Sequence, residues 1–247
     1  MNSPSPTYLL SLDSTTSTND EARHLLRERN EKYVIVTARH QSAGRGQQGH
    51  RWESEEGKNL LFSLGVRPTF LAPRRQFLLL QAMSVAICQS LSEVISGFTI
   101  KWPNDIYFAD LKICGTLIEV GLSGSTMDHC IIGSGVNVNQ TLFSAYPPNP
   151  VSLRMLTHHS HDCAALLQAI THRFITHYEA LEKGITAPLQ QAYMQRLYRR
   201  EGIHPYQDRE GTFMARILSV EPDGHLLLLT TDQQRRRYAF KEVRFVL

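Results

Sequence analysis

No stretch of this chain approaches the roughly 20 consecutive apolar residues that a membrane span requires. Its opening, MNSPSPTYLLSLDSTTSTND, lacks the basic-then-apolar pattern of a secretory signal. Cysteine is scarce: four residues, Cys88, Cys114, Cys130 and Cys163, with no CxxC pair among them. Scattered thiols of this kind make no disulfide framework, and they predict free structural thiols in a reducing, cytoplasmic compartment. Charge of one sign is not in excess either, since Lys+Arg 26 against Asp+Glu 23 leaves +3. That balance is too near neutral to imply a dedicated nucleic-acid or polyanion binder. Internal repeats and low-complexity tracts are missing too. What remains is 247 residues, 42% hydrophobic and 20% charged, enough for one large domain or one plus a small one.

The pattern along the chain predicts an α+β fold. Tyr8–Leu12 reads as a strand, and Thr18 with Glu21 three residues on reads as a capping box opening a helix to about Arg29. Val34–Ala38 is a buried strand that empties into the polar, glycine-rich segment Gln41–Gly57. Asn59–Val66 is another strand, and Pro73 opens a long helix ending near Gly97. Closely spaced strands follow at Phe98–Lys101, Ile106–Phe108, Ile113–Gly121 and Cys130–Val138, which favours an antiparallel or mixed sheet. Tyr146–Pro150 is a loop, and Asp162–Leu181 and Ala187–Arg200 carry helical spacing. Short strands then recur at Thr212–Val220, His225–Thr231, Tyr238–Phe240 and Val243–Val246, with Glu221-Pro222-Asp223-Gly224 as a turn. The expected division is a larger domain over 1–200 and a small β domain over 201–247.

Three segments can carry chemistry. Gly44-Arg45-Gly46-Gln47-Gln48-Gly49 matches G-x-G-x-x-G in letters, but a dinucleotide site needs its third glycine to open a helix. Here the continuation, His50 to Gly57, is polar loop leading to a strand, and no Gly-Lys-Ser/Thr follows to make a P-loop. A glycine-rich loop bearing Arg45, Arg51 and His50 still suits an anion, because glycines let backbone N–H groups approach and arginine offers a planar fork. The bland alternative is a surface loop. The second segment is Lys101-Trp102-Pro103-Asn104-Asp105 with Lys112 and Gly115; a plain turn explains its middle, but Lys112 between Leu111 and Ile113 either snorkels or meets an anion. The third is Gly133-Ser134-Gly135-Val136-Asn137-Val138, whose glycines mark a close approach or a bulge. His158-His159-Ser160-His161-Asp162-Cys163 is read as a loop-to-helix junction rather than a zinc site. Arg235-Arg236-Arg237 is read as a solvated hairpin face.

Taken in order, Ser17-Thr18-Asn19, Gln41-Ser42-Ala43-Gly44-Arg45-Gly46, Trp52, Lys101-Trp102-Pro103-Asn104-Asp105 with Lys112 and Gly115, and Gly135-Val136-Asn137-Val138 resemble the biotin protein ligase family. The resemblance implies a catalytic domain similar to class II aminoacyl-tRNA synthetases, with a mixed sheet, and a C-terminal SH3-like β-barrel domain. It implies that biotin and MgATP give biotinyl-5′-adenylate and pyrophosphate, and that biotin then passes to one lysine of a biotin carboxyl carrier protein such as that of acetyl-CoA carboxylase. By the same resemblance Ser17, Thr18, Asn19, Gln41, Gly44, Arg45, Gly46, Gln47, Lys112, Gly115 and Gly133 surround biotin. His50, Trp52, Asn104, Lys112, Val136 and Asn137 meet ATP. Lys112, Arg45 and Asp105 are the catalytic group, with Asp105 the candidate for Mg²⁺ or for orienting the acceptor amine. No tightly bound cofactor, DNA or membrane is implied, and a homodimer is left open.

This chain departs from the family's basic loop, since Gln47 and His50 stand where many relatives carry arginine. Two fewer permanent cations predict weaker retention of the adenylate, and a histidine predicts ATP affinity that falls as pH rises. Only sixteen residues precede Ser17, too few for the DNA-binding helix-turn-helix of bifunctional relatives. The nearest alternative is a lipoate- or octanoate-protein ligase, which shares the fold and an equivalent lysine but lacks the Gly-Arg-Gly loop and the Lys-Trp-Pro-Asn-Asp run. A non-catalytic biotin-binding module is the other, and the presence of Lys112 and Arg45 weighs against it.

Overall fold

The computed structural model describes residues 7–46, 52–144 and 149–246. In chain order its elements begin with β1 (Thr7–Thr15), α1 (Thr18–Glu28), β2 (Tyr33–Gln41), β3 (Leu60–Val66), α2 (Phe77–Ser92), β4 (Phe98–Lys101) and β5 (Asp105–Phe108). They continue with β6 (Leu111–Ser123), β7 (Thr126–Val136), α3 (Leu153–Thr157), α4 (Cys163–Glu182) and α5 (Ala187–Gln195). The last five are β8 (His204–Gln207), β9 (Thr212–Val220), β10 (Leu226–Thr230), β11 (Arg235–Tyr238) and β12 (Arg244–Phe245). Contacts divide the chain into two compact units, Met1–Pro73 with Leu111–His172 and Arg74–Asp110 with Arg173–Leu247.

In the first unit the strands run in the order β1-β2-β3-β7-β6. β1 and β2 pair in parallel and the others antiparallel, so the sheet is mixed, as the spacing predicts. The parallel pair needs a crossover, and α1 supplies it. The helix lays Ala22 and Leu26 on Val34, Val36 and Ile131, all buried. Gly65 lies beneath the helix, and a Cβ there would be tight only against Ile131 Cδ1, at 3.2 Å. Burying each of the Leu, Val and Ile side chains stabilises by about 1.5–3 kcal/mol, which fixes α1, and with it Ser17 to Asn19, over the middle of the sheet.

In the second unit α2 is apolar on all sides and buried almost throughout, as an interior helix is. β4 and β5 form a hairpin in which Lys101 pairs with Asp105. Its turn, Trp102 to Asn104, is buried and contains a cis Trp102–Pro103 bond. Tyr193 Oη donates to the Pro103 carbonyl at 2.7 Å, and Trp102 Nε1 donates to the Gly224 carbonyl at 3.0 Å. The last five strands make an antiparallel sheet in the order β11-β10-β9-β8-β12. Aromatic rings fill its small core: Tyr206 meets Phe245 edge-on at 5.0 Å and stacks on Phe213 at 6.1 Å. The Glu221–Gly224 turn forms as expected, with Gly224 at φ +95 and its N–H on the Glu221 carbonyl.

Several local expectations need correction. The N-cap of α1 is Ser17, not Thr18, and no side chain caps there. Glu21 accepts from Thr15 Oγ1 instead of reaching back, and Thr18 turns inward. The helix expected from Pro73 starts at Phe77 and ends at Ser92, and α5 stops at Gln195 rather than Arg200. Short α3 and β8 are additions, too brief for periodicity to reveal. All four cysteines are free thiols, three of them buried. No helix among the described residues is long and apolar enough to cross a membrane.

Candidate functional site

Side chains alternate across a strand, so register tells which residues share the face under α1. On β7 these are Ile131, Gly133 and Gly135; on β6 they are Glu119, Leu117 and Gly115; on β3 they are Gly65, Ser63 and Leu61. The face is apolar beneath the body of the helix. Toward the helix N-terminus it becomes polar at Ser63, and beyond it becomes bare at Gly133, Gly135 and Gly115.

Each glycine is bare for a visible reason. A Cβ on Gly133 would lie 2.0 Å from Asn19 Oδ1, and one on Gly135 would lie 2.4 Å from Cε2 of the Trp52 indole. One on Gly115 would sit 3.0 Å from Trp52 Cζ3 and 3.4 Å from Lys112 Nζ. Trp52 thus lies over the Gly115–Gly135 pair with Lys112 beside it. The indole Nε1 is buried with no hydrogen-bond partner among the described residues. Lys112 is pinned through its backbone, its N–H on the Asn149 carbonyl at 2.8 Å and its carbonyl taking the Val151 N–H at 2.9 Å.

At the polar end the orphan N–H groups of the helix need partners. Gln41, at the end of β2, supplies one: its Oε1 accepts the Thr18 N–H at 2.7 Å and faces Thr18 Oγ1 at 3.1 Å. Thr18 Oγ1 lies 2.7 Å from Ser63 Oγ, which donates to Asn19 Oδ1 at 2.5 Å. Asn19 Nδ2 donates to Glu119 at 2.8 Å, and Arg23 donates to the same carboxylate oxygen at 2.7 Å. Ser17, Thr18, Asn19 and Ser63 are all buried. Arg45 reaches across to Asp20 at 2.7 Å, with Ser17 Oγ at 3.5 Å and Glu119 at 3.9 Å. Burial pushes the Asp20 carboxyl up, but the Arg45 and Arg23 guanidiniums outweigh it and hold it below the usual range. The Asp20 hydrogen bond in turn raises Arg45 against a smaller opposing effect of burial.

The glycine-rich segment is closed at its base. The Trp52 N–H donates to the Gly44 carbonyl at 3.0 Å, and a Cβ on buried Gly44 would stand 3.4 Å from Gln41 Nε2. Gly46 is half-buried. Gln47 and His50 lie outside the described residues.

The sequence-predicted residues therefore fall into three sets. Ser17, Thr18, Asn19, Gln41, Gly44, Arg45, Trp52, Lys112, Gly115 and Gly133 converge on one face of the first unit. Val136 faces the other side of that sheet. Asn137 is buried and spends its Nδ2 on the Val151 carbonyl at 3.1 Å. Asn104, buried, and Asp105, half-buried, occupy the β4–β5 turn of the second unit.

Sequence reasoning missed Asp20, Arg23, Ser63 and Glu119. Ser63 is the one polar side chain within Leu60–Val66, which was a usable signal. The histidine run is a junction: His158 ends α3 in the left-handed region, and Asn139 brackets the His161 backbone with bonds of 2.8 and 2.9 Å. Among the described residues one trio, Glu221, Asp223 and His225, has metal-type ligand atoms together, and Arg237 already engages both carboxylates.

Residues 10–137 match the biotin/lipoate A/B protein ligase family. The bifunctional ligase/repressor BirA of Bacillus subtilis is 29% identical over 238 residues, covering 94% of this chain and 72% of that protein. A biotin–[acetyl-CoA-carboxylase] ligase of Paracoccus denitrificans is 30% identical over 195 residues, covering 76% and 80% respectively. A biotin protein ligase from Aquifex aeolicus, solved with biotin and ATP, superposes with a TM-score of 0.80 at 24% identity, covering 97% of this chain and 99% of that one. That last likeness is one of fold.

Proposed function

The chain belongs to the biotin/lipoate A/B protein ligase family, and from that membership we propose that it is an ATP-dependent biotin protein ligase. It activates biotin as biotinyl-5′-AMP, releasing pyrophosphate, and then transfers biotin to one lysine of a biotin carboxyl carrier protein. The observation that carries this reading is the convergence, on one face of the first unit, of the Thr18–Gln41 hydrogen-bonding pair with Trp52 and Lys112, which lie over the Gly115–Gly135 strand pair. Such a set of side chains suits a ligand with a neutral polar head and a carboxylate tail. A cation at the tail end draws together two anions, the carboxylate and the α-phosphate.

The reaction needs no enzyme nucleophile. The biotin carboxylate attacks phosphorus and the acceptor amine later attacks the mixed anhydride, so positioning and charge stabilisation carry the rate. Lys112 and Arg45 are the cations we assign to those charges, and Trp52 the ring against the adenine. Asn104, Asn137 and the backbone of Val136, whose side chain faces the other side of the sheet, are proposed for the nucleotide. Magnesium enters with ATP as part of the substrate; Asp105 offers the oxygen ligand that this ion prefers alongside phosphates. Gln47 and His50 are assigned to the same loop as biotin and ATP contacts. We place the catalytic region in 1–200 and a separate β domain in 201–247, working in the cytoplasm.

A lipoate ligase is the weaker reading for this site. A dithiolane ring offers the Thr18 and Gln41 oxygens no N–H, and sites built of such groups reject ligands that cannot bond them. Biotin-dependent ATP–pyrophosphate exchange, with lipoate and octanoate as controls, tests the proposal. Exchange with biotin alone is the expected result. Exchange with lipoate moves the chain to the sister activity, and tight biotin binding without exchange reduces it to a binding module.

A further inference from the structure

Two hydroxyl protons serve three oxygen–oxygen contacts in the row from half-buried Gln41 to buried Asn19. The contacts are Thr18 Oγ1 to Gln41 Oε1 at 3.1 Å, Thr18 Oγ1 to Ser63 Oγ at 2.7 Å, and Ser63 Oγ to Asn19 Oδ1 at 2.5 Å. One contact therefore holds no hydrogen, and Glu119 decides which. A carboxylate only accepts, so the Asn19 amide must turn Nδ2 toward it, as it does at 2.8 Å. Asn19 Oδ1 then faces Ser63, whose single proton is committed there. Thr18 has to give its own proton to Ser63. The gap between Thr18 Oγ1 and Gln41 Oε1 is left with two acceptor oxygens and no hydrogen. Gln41 Oε1 stays in that position because the Thr18 N–H holds it at 2.7 Å.

We propose that Glu119 is a positioning residue that orients this row, through Asn19 and Ser63, so that Thr18 Oγ1 and Gln41 Oε1 form a two-acceptor notch for a ligand N–H. The proposal rests on the biotin-ligase reading and deepens it. The ureido ring supplies the donor the notch lacks, and a ring whose edge is oxygen or sulfur leaves the two acceptors facing each other. Glu119 touches no substrate in this account, and its effect is on which ligand is accepted. Arg23, donating to its carboxylate at 2.7 Å, anchors the far end of the row.

The test uses the full chain, biotin, and the two cyclic-carbamate analogues in which one ureido N–H is replaced by a ring oxygen. Glu119→Gln keeps the shape but can present either nitrogen or oxygen to Asn19, so the row loses its fixed direction. The expected result is a rise of about tenfold in the KM for biotin and a comparable fall in the preference for biotin over the poorer carbamate, the size of one hydrogen bond. The KM for ATP stays within about twofold, which general loosening of the fold would not give. Ser63→Ala is the second variant: with Ser63 gone the Thr18 proton has only Gln41 Oε1 to turn to, the notch gains a hydrogen, and the preference falls likewise. Wild-type preference in whichever variant folds overturns the proposal. Absence of biotin-dependent exchange in the wild type would instead overturn the ligase reading, and calorimetric binding of biotin against the carbamates would still read the notch.

Discussion

Gly135 and the Trp52 indole occupy mutually exclusive space: a Cβ at position 135 would stand 2.4 Å from Cε2 and 2.6 Å from Nε1 of the ring. No shift of a few tenths of an ångström relieves that, and β7 is held on both sides by β3 and β6, so the indole must leave. Gly135→Ala is therefore expected to red-shift the emission of Trp52, read in a Trp102→Phe background, and to raise the KM for ATP at least about tenfold through the lost stacking surface. Unchanged emission together with an unchanged KM would show that the ring does not depend on that floor.

The fold was legible where periodicity is strong and the site where residue types are unusual. β2 announced itself by its β-branched run, and Lys112 by being a lysine between Leu111 and Ile113. Glu119 was not legible, because within Leu117-Ile118-Glu119-Val120 a lone charge looks like any solvated position on a strand. Its meaning comes from β-register, which places it on the face that carries Ser63 and Gly133. Thr18 was misassigned for a related reason: local capping rules count only neighbours in sequence, whereas Gln41, 23 residues on, had already taken the Thr18 N–H. The start of α2 slipped because Pro73 supplies a turn there and the apolar run begins later.

Asp20 and Arg45 form a pair that the proposed chemistry must open, since Arg45 is assigned to substrate charge. Both side chains are more than two-fifths exposed, so the pair contributes at most about 1 kcal/mol and is screened by salt. Asp20→Asn is expected to free Arg45 and lower the KM for biotin by up to about fivefold, the largest gain such a pair permits. The sign with pH follows from the depressed carboxyl of Asp20. Its contribution to stability is fully present above the unfolded value of about 3.9 and disappears as pH falls through the lower folded value. The stability gap between wild type and D20N in urea titrations should close over that acid window. A gap that widened there would refute the pairing.

Tyr193 ties α5 to the turn that carries Asn104 and Asp105, and burial raises its hydroxyl well above the ordinary tyrosine value, so it remains a donor at any working pH. Tyr193→Phe leaves the Pro103 carbonyl buried without that partner. A loss of about 1–3 kcal/mol in urea unfolding is expected. The KM for ATP should rise with it, because the freed turn no longer fixes Asn104. Full stability in the variant would mean that another donor reaches Pro103.

Lys112 stands where the proposed reaction concentrates negative charge, with its Nζ 3.4 Å from the position a Gly115 Cβ would take. Its backbone is clamped by Asn149 and Val151, so the stem that carries the ammonium starts from a fixed point beside Gly115. Lys112→Ala is expected to lower biotin-dependent exchange by about 10²–10³ or more, in line with the loss of one fixed donor at a developing anion. Its thermal midpoint should barely move, since the side chain is only half-buried. Lys112→Arg should recover little, because a planar fork cannot take the place of a compact point charge beside Gly115. Retained biotin binding with lost exchange would place the lysine at the reacting centre. Near-normal exchange in the alanine variant would remove it from the mechanism, and with it the reason for reading this face as an adenylation site.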